Sequence, residues 1–157
     1  MSDATIEKEL ATFGFLSGLA AEHIRFLARH TKHRQFATDQ VLHRQGDPAS
    51  TFYLIRKGHI SIEIPAIQGP TLFLQDLSAG DMLGWSWLIP PYRWSFLIRA
   101  AEAVAVLEFD GKAVLAHCEE DPKFGYEMLK RVSALMSERL AHARQRMMDE
   151  WSAAGFA

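Results

Sequence analysis

The segment at residues 84–94 concentrates the side chains of this sequence that could contact a small molecule. It contains four aromatic residues and two polar ones, which are Trp85, Trp87, Tyr92, Trp94, Ser86 and Arg93. Aromatic faces stack on flat ligands and on cations, and guanidinium groups pair with anions. Two interpretations stay open. Either the tryptophan faces, the amides of residues 84–87 and Arg93 line a pocket for a planar or anionic molecule, or the rings fill the domain's own cavity.

Other reactive residues do not form a catalytic or metal-binding pattern. Ser86 follows Gly84 and Trp85, but the second glycine of a nucleophile elbow is missing. His30 and His33 have no third ligand at useful spacing. Cys118 precedes acidic residues that disfavour a thiolate, and a single cysteine excludes an internal disulfide. We therefore expect no catalytic residue, no metal ligand, no cofactor and no enzymatic activity.

The overall composition is that of an ordinary soluble domain. The 157 residues are 48% hydrophobic and 23% charged, and the formal net charge is −2. Such a charge gives no general basic field for nucleic acid or membrane surfaces. No stretch approaches the roughly 18 apolar residues of a membrane helix, and the N-terminus lacks the pattern of a signal peptide. We expect one cytoplasmic domain spanning residues 1–157.

Hydrophobic periodicity divides this domain into three parts. Helical spacing of apolar residues predicts an N-terminal helix over about 13–30. From about 34 to 109, short alternating segments separated by Gly and Pro turns predict a β-roll. C-terminal helices are predicted over about 110–150, and Asp121-Pro122 provides a good helix start. The expected fold class is α+β, mainly β: a jelly-roll-like β-roll, or double-stranded β-helix, with an N-terminal helix and a long C-terminal helix.

The long C-terminal helix carries more apolar surface than a small β-roll would cover. Apolar residues recur every three or four positions from Met128 to Met147. We expect its outer stripe, within about residues 124–148, to pair with a second copy as a homodimer seam. The alternative is a helix that folds back on its own domain.

The order of elements and several local strings resemble the cyclic-nucleotide-binding domain family, most closely its bacterial catabolite-activator branch. The strings at 41–48 and 52–58 are similar to the opening strands and their turns, and the string at 77–84 is similar to the approach to the phosphate-binding cassette. The strings at 95–100 and 105–109 are similar to the strands that follow the cassette. The resemblance covers roughly residues 13–150 and implies the fold predicted above.

The resemblance also implies where a ligand would bind. In the family, a glycine opens a short helix whose amides hold an anion, a glutamate binds the ribose and an arginine pairs with the phosphate. Gly84 matches that glycine, and residues 85–88 would form the helix. Trp85 stands in the glutamate's place and Trp94 in the arginine's, with Arg93 adjacent. On the long helix, Arg139 matches, whereas Ala143-Arg144 replaces a Thr-Ser pair that meets the purine.

We accordingly expect a non-enzymatic ligand-sensing or regulatory module with an altered phosphate-binding cassette, so that binding of cAMP or cGMP is doubtful. The alternative is a degenerate, non-binding domain that acts as a dimerisation or protein-interaction scaffold. The expected partners are a small planar or anionic ligand, a second copy and an unidentified protein, with no direct DNA binding and no membrane. No helix-turn-helix domain follows the long helix, so the chain is either a free-standing sensor or a fragment; because the tail at 153–157 resembles a natural frayed end, we expect a free-standing module. The candidate ligand contacts are Gly84, Trp85, Ser86, Trp87, Arg93, Trp94, Ser95 and Arg139.

Overall fold

A computed structural model describes residues 2–64, 68–69 and 72–153 of the chain. In these described residues, eight strands follow two N-terminal helices and precede two C-terminal ones. The helices are α1 (Asp3–Leu10), α2 (Ala21–Arg29), α3 (Gly111–Glu120) and α4 (Pro122–Ala153), with a 3₁₀ turn at Gly14–Leu16. The strands are β1 (Thr31–Phe36), β2 (Val41–His43), β3 (Thr51–Lys57), β4 (Ile60–Ile64), β5 (Leu72–Leu77), β6 (Met82–Leu83), β7 (Leu97–Ala100) and β8 (Val104–Asp110).

The strands form two antiparallel four-stranded sheets that pack on each other. One sheet has the order β1-β8-β3-β6 and the other the order β2-β7-β4-β5. The described part of the domain has two hydrophobic cores, one beneath the helices and one between the sheets. The strand β3 contributes to both, because its successive side chains point to opposite faces. Phe52 and Leu54 pack towards the helices, while Tyr53 and Ile55 pack between the sheets. This arrangement confirms the predicted jelly-roll-like β-roll with flanking helices.

The N-terminal part corrects the prediction of one helix over about 13–30. The structure has only the short 3₁₀ turn and α2 there, and a separate helix, α1, lies before them. Gly18 explains the break, since its φ of +81° lies in the left-handed region and cannot continue a right-handed helix. Ser2 caps α1 by accepting a hydrogen bond from the Thr5 amide.

The C-terminal helix α4 begins where the sequence predicted. The Asp121 carboxylate accepts hydrogen bonds from the amides of Lys123 and Phe124, at 3.1 and 3.2 Å. The inner face of α4 carries the buried residues Phe124, Met128, Val132 and Arg139. No helix in the described part of the chain is both long and apolar enough to cross a membrane.

Candidate ligand-binding site

Backbone pairing fixes the segment that leads into β7 and decides which of its side chains points inward. The amide of Trp94 donates to the Asp47 carbonyl, and the amide of Gly46 donates to the Trp94 carbonyl, each at 2.8 Å. Pro48 and Arg93 form an isolated antiparallel bridge beside these bonds. Because neighbouring residues in extended chain face opposite ways, Trp94 points into the roll and Arg93 points out.

This pairing corrects the prediction that Arg93 contacts a ligand. Its side chain is exposed, and its Nη1 donates to the Gly46 carbonyl at 2.9 Å. The loop shift that would have brought the guanidinium inward does not occur, because the main-chain bonds to residues 46–48 hold the loop in register.

Trp94 stands where the family resemblance places the phosphate-binding arginine, and its indole is buried. It is 4% exposed and stacks on the His43 ring, with centroids 4.1 Å apart and planes 12° from parallel. Its other neighbour is Gly84, where an added Cβ would lie 2.7 Å from the Trp94 Cη2 atom. Gly84 also has a φ of +99°. Glycine is therefore required both by the backbone and by the indole that lies on it.

His43 was not among the predicted site residues, yet it supports the Trp94 ring. Its Nε2 lies 2.7 Å from the Tyr53 hydroxyl, which also accepts a hydrogen bond from Thr51 Oγ1 at 3.1 Å. Burial lowers the pKa of the His43 imidazole to about 4 and raises the pKa of the Tyr53 phenol to about 12. Both rings are thus neutral at pH 7. The alternation of β2 could have suggested an inward His43, but only the fold brings it to Trp94.

The predicted short helix at residues 85–88 is only one turn, closed by a 3.0 Å hydrogen bond from the Leu88 amide to the Trp85 carbonyl. Trp87 lies outside the site, in the core between β3 and the helices. It stacks on Phe52 with centroids 4.5 Å apart, and its Nε1 donates to the Gly84 carbonyl at 3.0 Å. Trp87 is therefore a core residue, contrary to its prediction as a ligand contact.

Arg139 reaches the site from α4 as a buried cation. Its guanidinium lies 5.3 Å from the centre of the Trp85 ring and donates to the Met82 carbonyl. Burial lowers its pKa to about 10, although Asp81 and Glu138 act in the opposite direction, so it stays charged at pH 7. Among the residues that the structure describes, no carboxylate lies within 4 Å of this guanidinium.

The space left between these groups is about 20 Å³. One water molecule needs roughly 10–15 Å³, whereas small-molecule sites typically enclose about 300–1,000 Å³. The Nε1 donor of Trp94 is buried here and has no hydrogen-bond partner among the described residues. Six of the eight predicted contacts line this void, and Trp87 and Arg93 do not. The lining residues are Ile62, Leu83, Gly84, Trp85, Ser86, Trp94, Ser95, Phe96, Ile98 and Arg139.

The β-roll, its long C-terminal helix and a glycine-opened turn facing that helix define a recognisable class of domain. The family model for the cyclic nucleotide-binding domain matches residues 33–121. This chain belongs to the cyclic nucleotide-binding domain family.

Known proteins similar to this chain include regulators and an enzyme. The chain is 28% identical over 118 residues to the cAMP-activated global transcriptional regulator CRP of Escherichia coli, covering 74% of this chain and 54% of that protein. It is 32% identical over 96 residues to the acetyltransferase Pat of Mycolicibacterium smegmatis, covering 61% of this chain and 28% of that protein. The chain thus spans about half or less of these relatives.

Among solved structures, a cyclic nucleotide-binding protein from Geobacter metallireducens is similar in fold. The two superpose with a TM-score of 0.78 at 22% identity, over 85% of this chain and 97% of that one. At this identity the likeness concerns the fold, and it agrees with the β-roll and flanking helices described above.

If Trp94 fills the site as a built-in ring, removing it should create a cavity that accepts the missing fragment. Trp94→Ala is expected to cost about 3–5 kcal/mol in the free energy of unfolding. Millimolar indole should then raise the melting temperature of Trp94→Ala while leaving the wild type unchanged. Trp94→Leu provides a milder variant if the alanine chain unfolds. Equal indole responses in variant and wild type would contradict this arrangement.

The burial of neutral His43 predicts a pH-dependent stability. The imidazole of the unfolded chain titrates near the ordinary histidine pKa of 6.5, and the folded one has its pKa lowered by burial to about 4. Between these values the unfolded chain binds more protons, so stability should rise with pH through this window, by roughly 2 kcal/mol once partial exposure is discounted. Urea unfolding of His43→Phe, which keeps a flat ring, should lack this contribution. Parallel pH profiles for variant and wild type would contradict it.

Proposed function

We propose that this chain is a regulatory module of the cyclic nucleotide-binding family in which Trp94 takes the ligand's place. It would act as a dimerisation and protein-interaction scaffold and would not depend on cAMP or cGMP. The observation that carries the proposal is the packing of the indole between Gly84 and His43, which leaves about 20 Å³.

The chemistry of the cassette supports the same proposal. Trp85 cannot accept a hydrogen bond from a ribose hydroxyl, since its indole offers only a donor. Trp94 stands where the family resemblance places the phosphate-binding arginine, and the adjacent Arg93 is bonded outside at the Gly46 carbonyl. Of the residues that match the family pattern, Gly84 and Arg139 line the void.

A second candidate function is the sensing of a small planar or anionic ligand, and two incompletely paired groups favour it. In the described part of the chain, Arg139 is a buried cation with no carboxylate within 4 Å, and Trp94 Nε1 is a buried donor without a hydrogen-bond partner. Buried polar groups normally have partners. A ligand that displaced the indole could pair with both groups and, through Arg139, shift the hinge between the roll and α4.

The outer stripe of α4 supports the scaffold role. Tyr126, Leu129, Leu140 and Met147 are exposed by 49–69%, and Met136 and Ala143 are half-buried. The positions 129, 136 and 143 are spaced by seven residues, and 126, 140 and 147 belong to a second seven-residue series whose remaining member, Ser133, is polar. Alternating spacings of this kind form the seam of a two-stranded coiled coil. We propose that a second copy covers this stripe.

The remaining roles are part of the same proposal. We propose a cytoplasmic module that acts without catalysis of its own and without direct DNA contact, through an unidentified protein partner. The net charge of −2 supports the absence of a nucleic-acid surface. The likeness to an acetyltransferase covers 28% of that enzyme, which fits a domain able to accompany catalytic units.

The proposal is tested by isothermal titration calorimetry of the full chain with cAMP, cGMP and cyclic di-GMP at up to 1 mM. We expect no saturable heat with any of them, because the void is more than tenfold smaller than a typical ligand pocket. The Trp94→Ala variant is titrated in parallel, to show whether opening the void admits any of the three. Saturable binding by the wild type would support the sensing candidate and contradict the scaffold proposal.

The dimer seam is tested by sedimentation velocity of Leu140→Glu at about 50 μM. A buried Leu contributes about 1.5–3 kcal/mol, and a charge in its place adds a desolvation cost, so the dissociation constant should rise at least tenfold. Ala141→Glu is the matched control, since it adds the same charge at the next exposed position outside the stripe and should stay dimeric. A wild-type monomer, or equal weakening by both variants, would contradict the seam.

A further inference from the structure

Three potential metal ligands meet where α2 packs against the junction of α3 and α4. His23 comes from α2, His117 from the last turn of α3, and Asp121 from the residue between α3 and α4. One ligand atom of each residue lies within 4.8 Å of the corresponding atoms of the other two. The cluster is separate from the void at Trp94, whose lining contains none of the three.

The ring nitrogens of the two histidines are not engaged by other side chains or backbone groups in the described part of the chain. The His23 side chain is 10% exposed, and in the described residues neither its ring nor that of His117 takes part in a hydrogen bond. The nearest carboxylate oxygen to His23 Nε2 belongs to Glu22, at 3.9 Å. His117 is half-buried and His23 lines a cavity open to solvent, so a ring nitrogen of each can bind a metal ion without breaking a hydrogen bond to the protein.

Aromatic contacts hold both imidazoles in place. The His117 ring stacks on Phe26 with centroids 3.9 Å apart and planes 20° from parallel. Phe124 packs against both histidines, at 5.0 Å from His23 and 4.8 Å from His117. Rings fixed by packing lose little entropy when they bind, and such support is what a preorganised metal site requires.

Asp121 is held by the start of α4. Its Oδ1 accepts the hydrogen bonds from the Lys123 and Phe124 amides, which leaves Oδ2 available. Backbone donors that orient a ligating carboxylate are typical outer-shell partners of metal sites. A cavity of about 600 Å³ lined by Glu22, His23 and other residues provides access from solvent.

We propose that His23, His117 and Asp121 bind a divalent transition metal ion of the zinc class. Imidazole nitrogen and carboxylate oxygen are ordinary zinc ligands at about 2.0–2.2 Å, and three protein ligands leave a fourth position for water or for the Glu22 carboxylate. Tetrahedral ligation brings the ligand atoms to within about 3.5 Å of each other, so binding draws the three groups together. The ion would tie α2 to the first turn of the long helix α4.

The test is calorimetric titration of ZnCl₂ into the full chain after removal of metal with EDTA. We expect one zinc ion per chain with micromolar or tighter affinity, and a rise in melting temperature with zinc. Cobalt(II) titration should give the visible absorption of a tetrahedral site. A dissociation constant above 1 mM for the wild type would overturn the proposal.

Variants assign the ligands. His117→Gln and Asp121→Asn should each weaken zinc binding at least tenfold, and Asn can still cap α4. The matched control is His30→Gln, because His30 also packs on Phe26, at 4.7 Å, but is not part of the cluster. Only variants whose metal-free melting temperature is within a few degrees of the wild type are compared. Wild-type affinity in the ligand variants, or equal loss in His30→Gln, would overturn the assignment.

Discussion

The packing of the Trp94 indole between Gly84 and His43 is the interaction on which the rest of the site depends. Gly84 must lack a side chain because the ring lies where its Cβ would be. His43 stacks on the same ring, and burial lowers its pKa to about 4, so it is neutral at pH 7. Interiors are close-packed, and with the indole in this position the void beside it is about 20 Å³. The closed site is a direct consequence of one large side chain.

This closed site is connected to the long helix. Arg139 extends from α4 to the Met82 carbonyl and the Trp85 ring, so the inner face of α4 is joined to the cassette by a buried polar contact. At the other end of the inner face, Phe124 packs against His23 and His117. The roll and the N-terminal helices therefore hold α4 at two places, and its outer apolar stripe is presented in a fixed direction. A change at either contact would alter the position of the outer stripe relative to a partner bound there.

Much of the fold could be predicted from the sequence because its signals are local. Alternation in short segments and glycine turns marked the strands, and Asp121-Pro122 marked the start of α4. The N-terminal helix was placed wrongly, because apolar spacing continues across residues 13–30 while the left-handed Gly18 interrupts the backbone. The short helix predicted after Gly84 is only a single turn, which the hydrogen bond from the Leu88 amide to the Trp85 carbonyl closes.

The site itself was only partly predictable, because side-chain direction depends on pairing between distant segments. Whether Arg93 or Trp94 points inward is decided by bonds to residues 46–48, which the sequence of the loop does not contain. The direction of His43 depends in the same way on tertiary contact, since it lies in β2 and stacks on Trp94, 51 positions further along the chain. His23 and His117 are 94 positions apart, and no local motif connects them. In each case the chemistry arises from tertiary contact between residues that are unremarkable in their own segments.

Permanent occupation of the ligand position by Trp94 can be tested on the indole itself. The most direct measurement is the NMR spectrum of the ¹⁵N-labelled tryptophan indoles, with the Trp94 signal assigned from Trp94→Phe. We expect a Trp94 indole N–H that exchanges slowly with solvent and does not shift when cAMP is added to 1 mM. Rapid exchange, or a saturable shift of this signal with cAMP, would contradict permanent occupation by the ring.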